Sequence, residues 1–241
     1  MSGDPTRHLT TPVPEAESVE AGFVSPTALF DLFSPSAWLF DIVRVLTNVD
    51  VLGEVVSPLS GHWTMVSAYG DALGKVAACL QEVSGDVQAN AVTLDGSWEG
   101  NASDAAYVYF TQAAGSLSGH TQALQRAGAE YKSLARAMWH LMESLKGLLQ
   151  TLLDRAARAA LYALAGSLTA ETGVGAVVGY GLAAYEIAQI IALVSRITLV
   201  ATVAESVVFG FSAFASTATK EIEDVAPLRP ISSPLSLATA R

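Results

Sequence analysis

Four histidines (His8, His62, His120 and His140) and one cysteine (Cys79) are the side chains best suited to hold a metal or act as nucleophiles. Their spacing supports neither role. His120 and His140 fall on one predicted helix, many turns apart, with no cysteine or carboxylate in ligand spacing around them. His8 lies in a proline-containing arm. The lone cysteine rules out an internal disulfide framework and, beside a helix seam, reads as a small buried apolar side chain. The acids are spread singly along predicted helix faces, so no carboxylate pair is set up for hydrolysis. Gly173-x-Gly175-x-x-x-Gly179 follows no strand and is therefore not a dinucleotide fingerprint, and no phosphate loop, nucleophile elbow or H-E-x-x-H is present. The expectation is a protein that is not an enzyme and that needs neither metal nor cofactor.

What the residue types do offer is a surface, organised around Asp95-Gly96-Ser97-Trp98-Glu99-Gly100-Asn101-Ala102-Ser103-Asp104. This is a breaker cluster between two long helical patterns. Gly96 and Gly100 permit a tight reversal, Asn101 or Ser103 is placed to cap the next helix, and Asp104 puts negative charge in its first turn. A turn has no general need for the largest apolar side chain. Trp98 therefore either packs back between the helix ends or meets a partner.

The flanking segments predict helices. Val66, Tyr69, Leu73, Val76, Leu80, Val83 and Val87 recur at spacings of three and four, which draws one narrow apolar seam. Tyr107, Phe110, Ala114, Leu117, Leu124, Gly128, Tyr131, Met138, Met142, Leu145 and Leu152 continue such a seam downstream, with Thr121 in register. Two seams joined by a short reversal predict an antiparallel helical hairpin. Small residues along it (Ala106, Ala113, Gly115, Gly119, Ala127 and Gly128) would let a further helix approach closely.

Trp98-Glu99-Gly100 in such a loop, followed by Ala102, Ala105, Ala106 and Tyr107, resembles the WXG family of type VII secretion. The resemblance covers about Gly61 to Leu152, and the longer chain is similar to the amino-terminal export domains of large actinobacterial secreted toxins. It implies an elongated all-α fold and pairing of hairpin against hairpin in a four-helix bundle. The implied partner is a small WXG protein or a second copy. It also implies that Trp98 and Gly100, supported by Tyr107, are read by the export ATPase. None of the seven tyrosines has an acid four residues on. The Y-x-x-x-D/E signal of that family is then expected from the partner.

Composition sets the remaining bounds. The chain has 241 residues, is 51% apolar and carries a net charge of −10. Only 15% of it is charged, against about a quarter in typical soluble domains. Net negative charge and the lack of any long basic cluster argue against nucleic acid as a partner. Met1 to Val24 contains no apolar run of the secretory-signal kind, so export would proceed without a cleavable signal, from a transient cytoplasmic state to the medium or cell surface. Five regions are expected: a disordered arm at 1–24, short amphipathic helices at 25–60, the hairpin at 61–155, apolar helices at 156–224 and a disordered proline-containing tail at 225–241. Ser25-Pro26 and Ser34-Pro35 read as helix starts, and Trp38 as core. Glu171-Thr172-Gly173 reads as a break, after which the chain is nearly all apolar. Residues 172–219 carry an alternative function, membrane insertion or pore formation, in which Gly175 and Gly179 form a helix contact and Glu186, Arg196 and Glu205 interrupt the apolar run. In the other reading of this segment, a buried bundle helix, these three charges sit at its rim. A third function is a cytoplasmic helical scaffold with a chance W-x-G.

Overall fold

The structure is a computed structural model. It describes residues 3–15, 37–56, 59 and 61–224. Among these the fold is all-α. A 3-10 turn at Pro5–His8 precedes α1 (Ala37–Thr47), a π-helical turn at Val51–Val56, α2 (Trp63–Asp95), α3 (Asn101–Leu168), a 3-10 turn at Ala170–Thr172 and α4 (Val174–Asp224). The helix starts read at Ser25 and Ser34 and the tail at 225–241 lie outside the described residues, as does the arm beyond residue 15. The break expected at Glu171–Gly173 is present, with Gly173 at φ +64°. No element boundary falls at 155/156, because apolar residues keep helical spacing there and α3 continues to Leu168. A single α4 stands where several carboxy-terminal helices were expected.

The described residues fall in two compact units. One draws them from Met1–Glu15, Met65–Ser133 and Phe211–Arg241, the other from Ala16–Thr64 and Leu134–Gly210.

In the first unit α2 and α3 touch along small residues. Ser67, Gly70, Ala77 and Ala91 are the buried positions of α2. A β-carbon added at Gly70 would lie 2.6 Å from the Gly128 carbonyl oxygen, and one at Gly128 would lie 2.7 Å from that of Gly70. Backbones can pass this closely only where neither residue has a side chain. Ser84 Oγ donates to the Ala114 carbonyl at 2.8 Å. Gly70 and Gly128 each stand 29 positions from Glu99, and Ser84 and Ala114 each stand 15 from it, so the contacts run in antiparallel register. Three helices meet at an aromatic ladder: Tyr69 on Tyr131 at 4.8 Å and Tyr131 on Phe211 at 4.7 Å, both edge to face. Burial there, and secondarily the Tyr69 hydroxyl, raise the Tyr131 phenol above its ordinary pKa.

Residues 3–15 are not the loose arm expected. They form a strap that runs antiparallel along α2. Arg7 and His8 meet Glu82 at 2.8 and 2.9 Å, and the Thr11 carbonyl accepts from Lys75 Nζ at 2.6 Å. The Val13 amide donates to Asp71 at 2.9 Å and the Glu15 amide to Ser67 Oγ at 3.1 Å. The prolines that prevent helix here leave amides and carbonyls free for polar side chains of α2, which composition alone does not reveal.

The second unit holds the conventional core. Among the described residues, all eight of the largest fully buried apolar side chains lie in it: Val43, Val56, Met138, Leu145, Leu149, Leu152, Ile190 and Ile197. Burying each contributes about 1.5–3 kcal/mol. Trp38 is not part of this core as expected but 55% exposed, while Leu39, Phe40 and Val43 supply the buried face of α1. In an amphipathic helix the largest side chain need not fall on the inward arc.

Candidate pairing surface and recognition loop

The end of α2 is closed by its own carbonyls. The Gly96 and Trp98 amides donate to Val92 and Leu94 oxygens at 3.1 and 3.0 Å. Gly100 then takes φ +104°, a left-handed value that strains any L side chain, and nothing would obstruct a β-carbon there. Its requirement is therefore for backbone freedom, not space. The Gly100 carbonyl accepts from the Ser103 and Asp104 amides at 2.8 and 3.2 Å, which starts α3. Neither Asn101 nor Ser103 is the cap. Both stand inside the first turn, and Ser103 Oγ is buried without a hydrogen-bond partner among the described residues. Asp104 is in that turn as expected.

Trp98 is 43% exposed, and its neighbours from Val92 to Asn101 are exposed as well. Of the two roles open to it, burial between the helix ends is not what the loop adopts. Tyr107 is half-buried on α3, in the second turn after the loop.

The seam expected on α2 is displaced. The inward line Ser67, Gly70, Ala77, Ser84 and Ala91 falls one residue after Val66, Tyr69, Val76, Val83 and the turn beyond Val87. One residue is a rotation of about 100°. Tyr69 is 52% and Val76 39% exposed, and Leu73, Leu80, Val83 and Val87 are half-buried. With Met65 and Leu94, both exposed, they form an apolar stripe along α2; Tyr69 and Leu73 reach α3 at its edge, through Tyr131 and Gly128, while Met65, Val76 and Leu94 stay exposed. On α3 the seam reading fares better. Ala114, Gly128, Met138, Met142, Leu145 and Leu152 are buried, as is Thr121, while Phe110, Leu117, Leu124 and Tyr131 are half-buried. The inward residues missed are small or one turn away (Ala127, Leu134, Ala135, Leu149), and the regular three-and-four spacing was their signal.

In the second unit Glu186 is buried, not at a rim. It receives Arg155 at 2.9 Å and Arg158 at 3.2 Å, so one acid on α4 meets two cations on α3. Arg196 and Glu205 are exposed. Gly179 crosses Gly166 of α3, where an added β-carbon would sit 2.5 Å from the Gly166 α-carbon. This half of the Gly175/Gly179 pattern therefore serves a contact inside the chain, and Gly175 abuts Thr169 at the turn. Among the described residues no three His, Cys, Asp or Glu side chains come together.

No protein-family model, no curated protein and no solved structure matches this chain.

Proposed function

We propose that the chain is a non-catalytic pairing and export module of the type VII secretion kind. In this reading α2 and α3 are a helical hairpin with Trp98-Glu99-Gly100 at its bend. The observation that carries it is the division of labour on α2: glycine, alanine and serine hold α3, while Met65, Val76 and Leu94 of the larger heptad-spaced line stay exposed. An outward stripe of that spacing suits a second pair of helices in a four-helix bundle. The occupant is a small WXG-family protein, or a second copy of this chain, and it brings the tyrosine-acid export signal that this chain lacks. The exposed indole of Trp98 and the left-handed Gly100 then present the bundle end to an export ATPase, with Tyr107 behind them.

The test is secretion from an actinobacterium that has a type VII system. A Trp98→Ala chain should fold, still co-purify with its partner, and vanish from the medium. A Val76→Asp chain should lose the partner. Undiminished export of Trp98→Ala would overturn the reading, because replacing an exposed side chain in a loop leaves only recognition to be lost.

A further inference from the structure

We infer that the helical tip where α3 ends and α4 begins enters one leaflet of a lipid bilayer. Leu161, Leu164 and Leu168 of α3 are exposed, as are Val174, Val177 and Val178 of α4, at 55–76%. From Ala159 to Tyr185 the only charged residue is Glu171, in the turn itself. Soluble helices interrupt such runs with lysine and glutamate on the outward face, and here the outward face of both helices is apolar.

A protein partner would cover one side of the tip and leave a polar rim around it. No such rim exists. The inward line of α4 runs through Gly179, Ala183 and Glu186, and Val174, Val177 and Tyr185 lie on the opposite side. Both helices of the tip thus turn apolar side chains away from their partner helix, which suits a solvent rather than a docking face.

The dimensions agree. From Ala159 to Leu168 the rise is about 15 Å, and from Val174 to Tyr185 slightly more. One leaflet offers about 15 Å of hydrocarbon. At the base stand Arg155 and Arg158, which share Glu186, with Asp154 beside them, so the charged groups gather, balanced, at the depth of the headgroups. Tyr185 is exposed at the same level, where amphipathic rings favour the interface.

The serine and threonine hydroxyls of the tip are already satisfied. Ser167 donates to the Leu164 carbonyl, Thr169 to Ala165 and Thr172 to Thr169, each at 2.8 Å. A bilayer interior requires this of every polar group that enters it. The Gly166–Gly179 crossing keeps the two helices together without relying on the hydrophobic effect, which lipid abolishes. Glu171 alone opposes entry.

The full chain is floated with vesicles of phosphatidylcholine containing a minority of phosphatidylglycerol. It should rise with the lipid. Leu168→Asp should lower partition at least about tenfold, with helix content unchanged because that side chain is 76% exposed. Glu171→Gln should raise partition severalfold. A wild-type chain that stays in the aqueous fraction overturns the inference. So does a Leu168→Asp chain that floats undiminished, or a Glu171→Gln chain that floats no better, since the turn would then never leave water. A tip-mediated dimer that ignores lipid and dissociates on Leu168→Asp also overturns it. Trp98→Ala should float as wild type, which keeps failure of the export reading separate from failure here.

Discussion

The Gly70–Gly128 main-chain contact in the first unit makes a sharp prediction at Gly70. Glycine inside an exposed helix costs about 0.5–1 kcal/mol relative to alanine, through the entropy of the unfolded chain. Gly85 is such a position, on the same helix with nothing within 4 Å of an added β-carbon, so Gly85→Ala should stabilise by about that amount. Gly70→Ala gains the same entropy but brings a β-carbon to 2.6 Å from the Gly128 oxygen, with Lys132 Cγ at 2.9 Å and Tyr131 Cβ at 3.1 Å. Ordinary contact begins at 3.4 Å, and the nearest obstacle is backbone, which cannot swing aside. The helices must part by roughly 0.8 Å, and overpacking of that kind costs about 1–3 kcal/mol. Gly70→Ala should therefore be about 1–3 kcal/mol less stable than Gly85→Ala. Urea denaturation followed by helical circular dichroism measures the difference, with Gly115→Ala, also unobstructed, as a second control. Equal stabilisation by all three alanines would refute the small-residue contact, and with it the claim that the apolar stripe is free for a partner.

Two further changes probe ionic contacts. Glu186→Ala leaves Arg155 and Arg158 without their shared acid inside α3 and α4. Breaking a buried pair costs about 3–5 kcal/mol, and partial exposure of both arginines reduces this to about 2, read by denaturant unfolding; Glu186→Asp should lose less. The Asp71 carboxyl is held below its ordinary pKa, first by the hydrogen bond from Lys75 and then by the Val13 amide and the charges of Lys75 and Lys132, against the opposing effect of burial. A depressed folded-state pKa stabilises above the unfolded value, about 3.9, and that stabilisation fades as pH falls through the lower folded value. Hydrogen exchange at the Val13 amide should thus stay slow at neutral pH and accelerate, beyond its intrinsic trend, below about pH 4; Asp71→Asn should show the fast rate throughout.

The all-α fold, the break before α4 and the helix break at Gly96–Gly100 were legible because each rests on local chemistry: helical spacing, or glycine where the backbone needs it. The rotation of the α2 seam was not. Apolar periodicity weighs Val66, Tyr69 and Val76 above Ser67, Gly70 and Ala77, yet close packing of two backbones rewards the smaller set, and which set wins depends on Gly128 across the contact. The strap at 3–15 was missed for a related reason. Beyond the Arg7 and His8 contacts with Glu82, its anchors are main-chain amides and carbonyls that meet Ser67, Asp71 and Lys75, and main chain has no signature in composition. Glu186 was misplaced because its partners lie about thirty positions upstream, and a charge in an apolar run looks peripheral until two arginines are found beside it.

The two exposed apolar surfaces differ in a way that assigns them different neighbours. On α2 the large side chains keep to one arc, and the same helix carries Asp71, Lys75 and Glu82 on another, each tied to the strap. A one-sided stripe beside a satisfied polar face is matched by another amphipathic helix and opposed by lipid, which would strand those charges. At the α3–α4 turn the reverse holds. Apolar side chains point outward from both helices, hydroxyls bond inward to carbonyls, and charge is confined to the base and to Glu171. A helix partner could cover only part of that surface, whereas a leaflet covers all of it. If one neighbour served both places, aspartate at Val76 and at Leu168 would abolish the same interaction. Separate neighbours require that Val76→Asp leave flotation intact and that Leu168→Asp leave pairing intact, and each chain can be carried through both measurements.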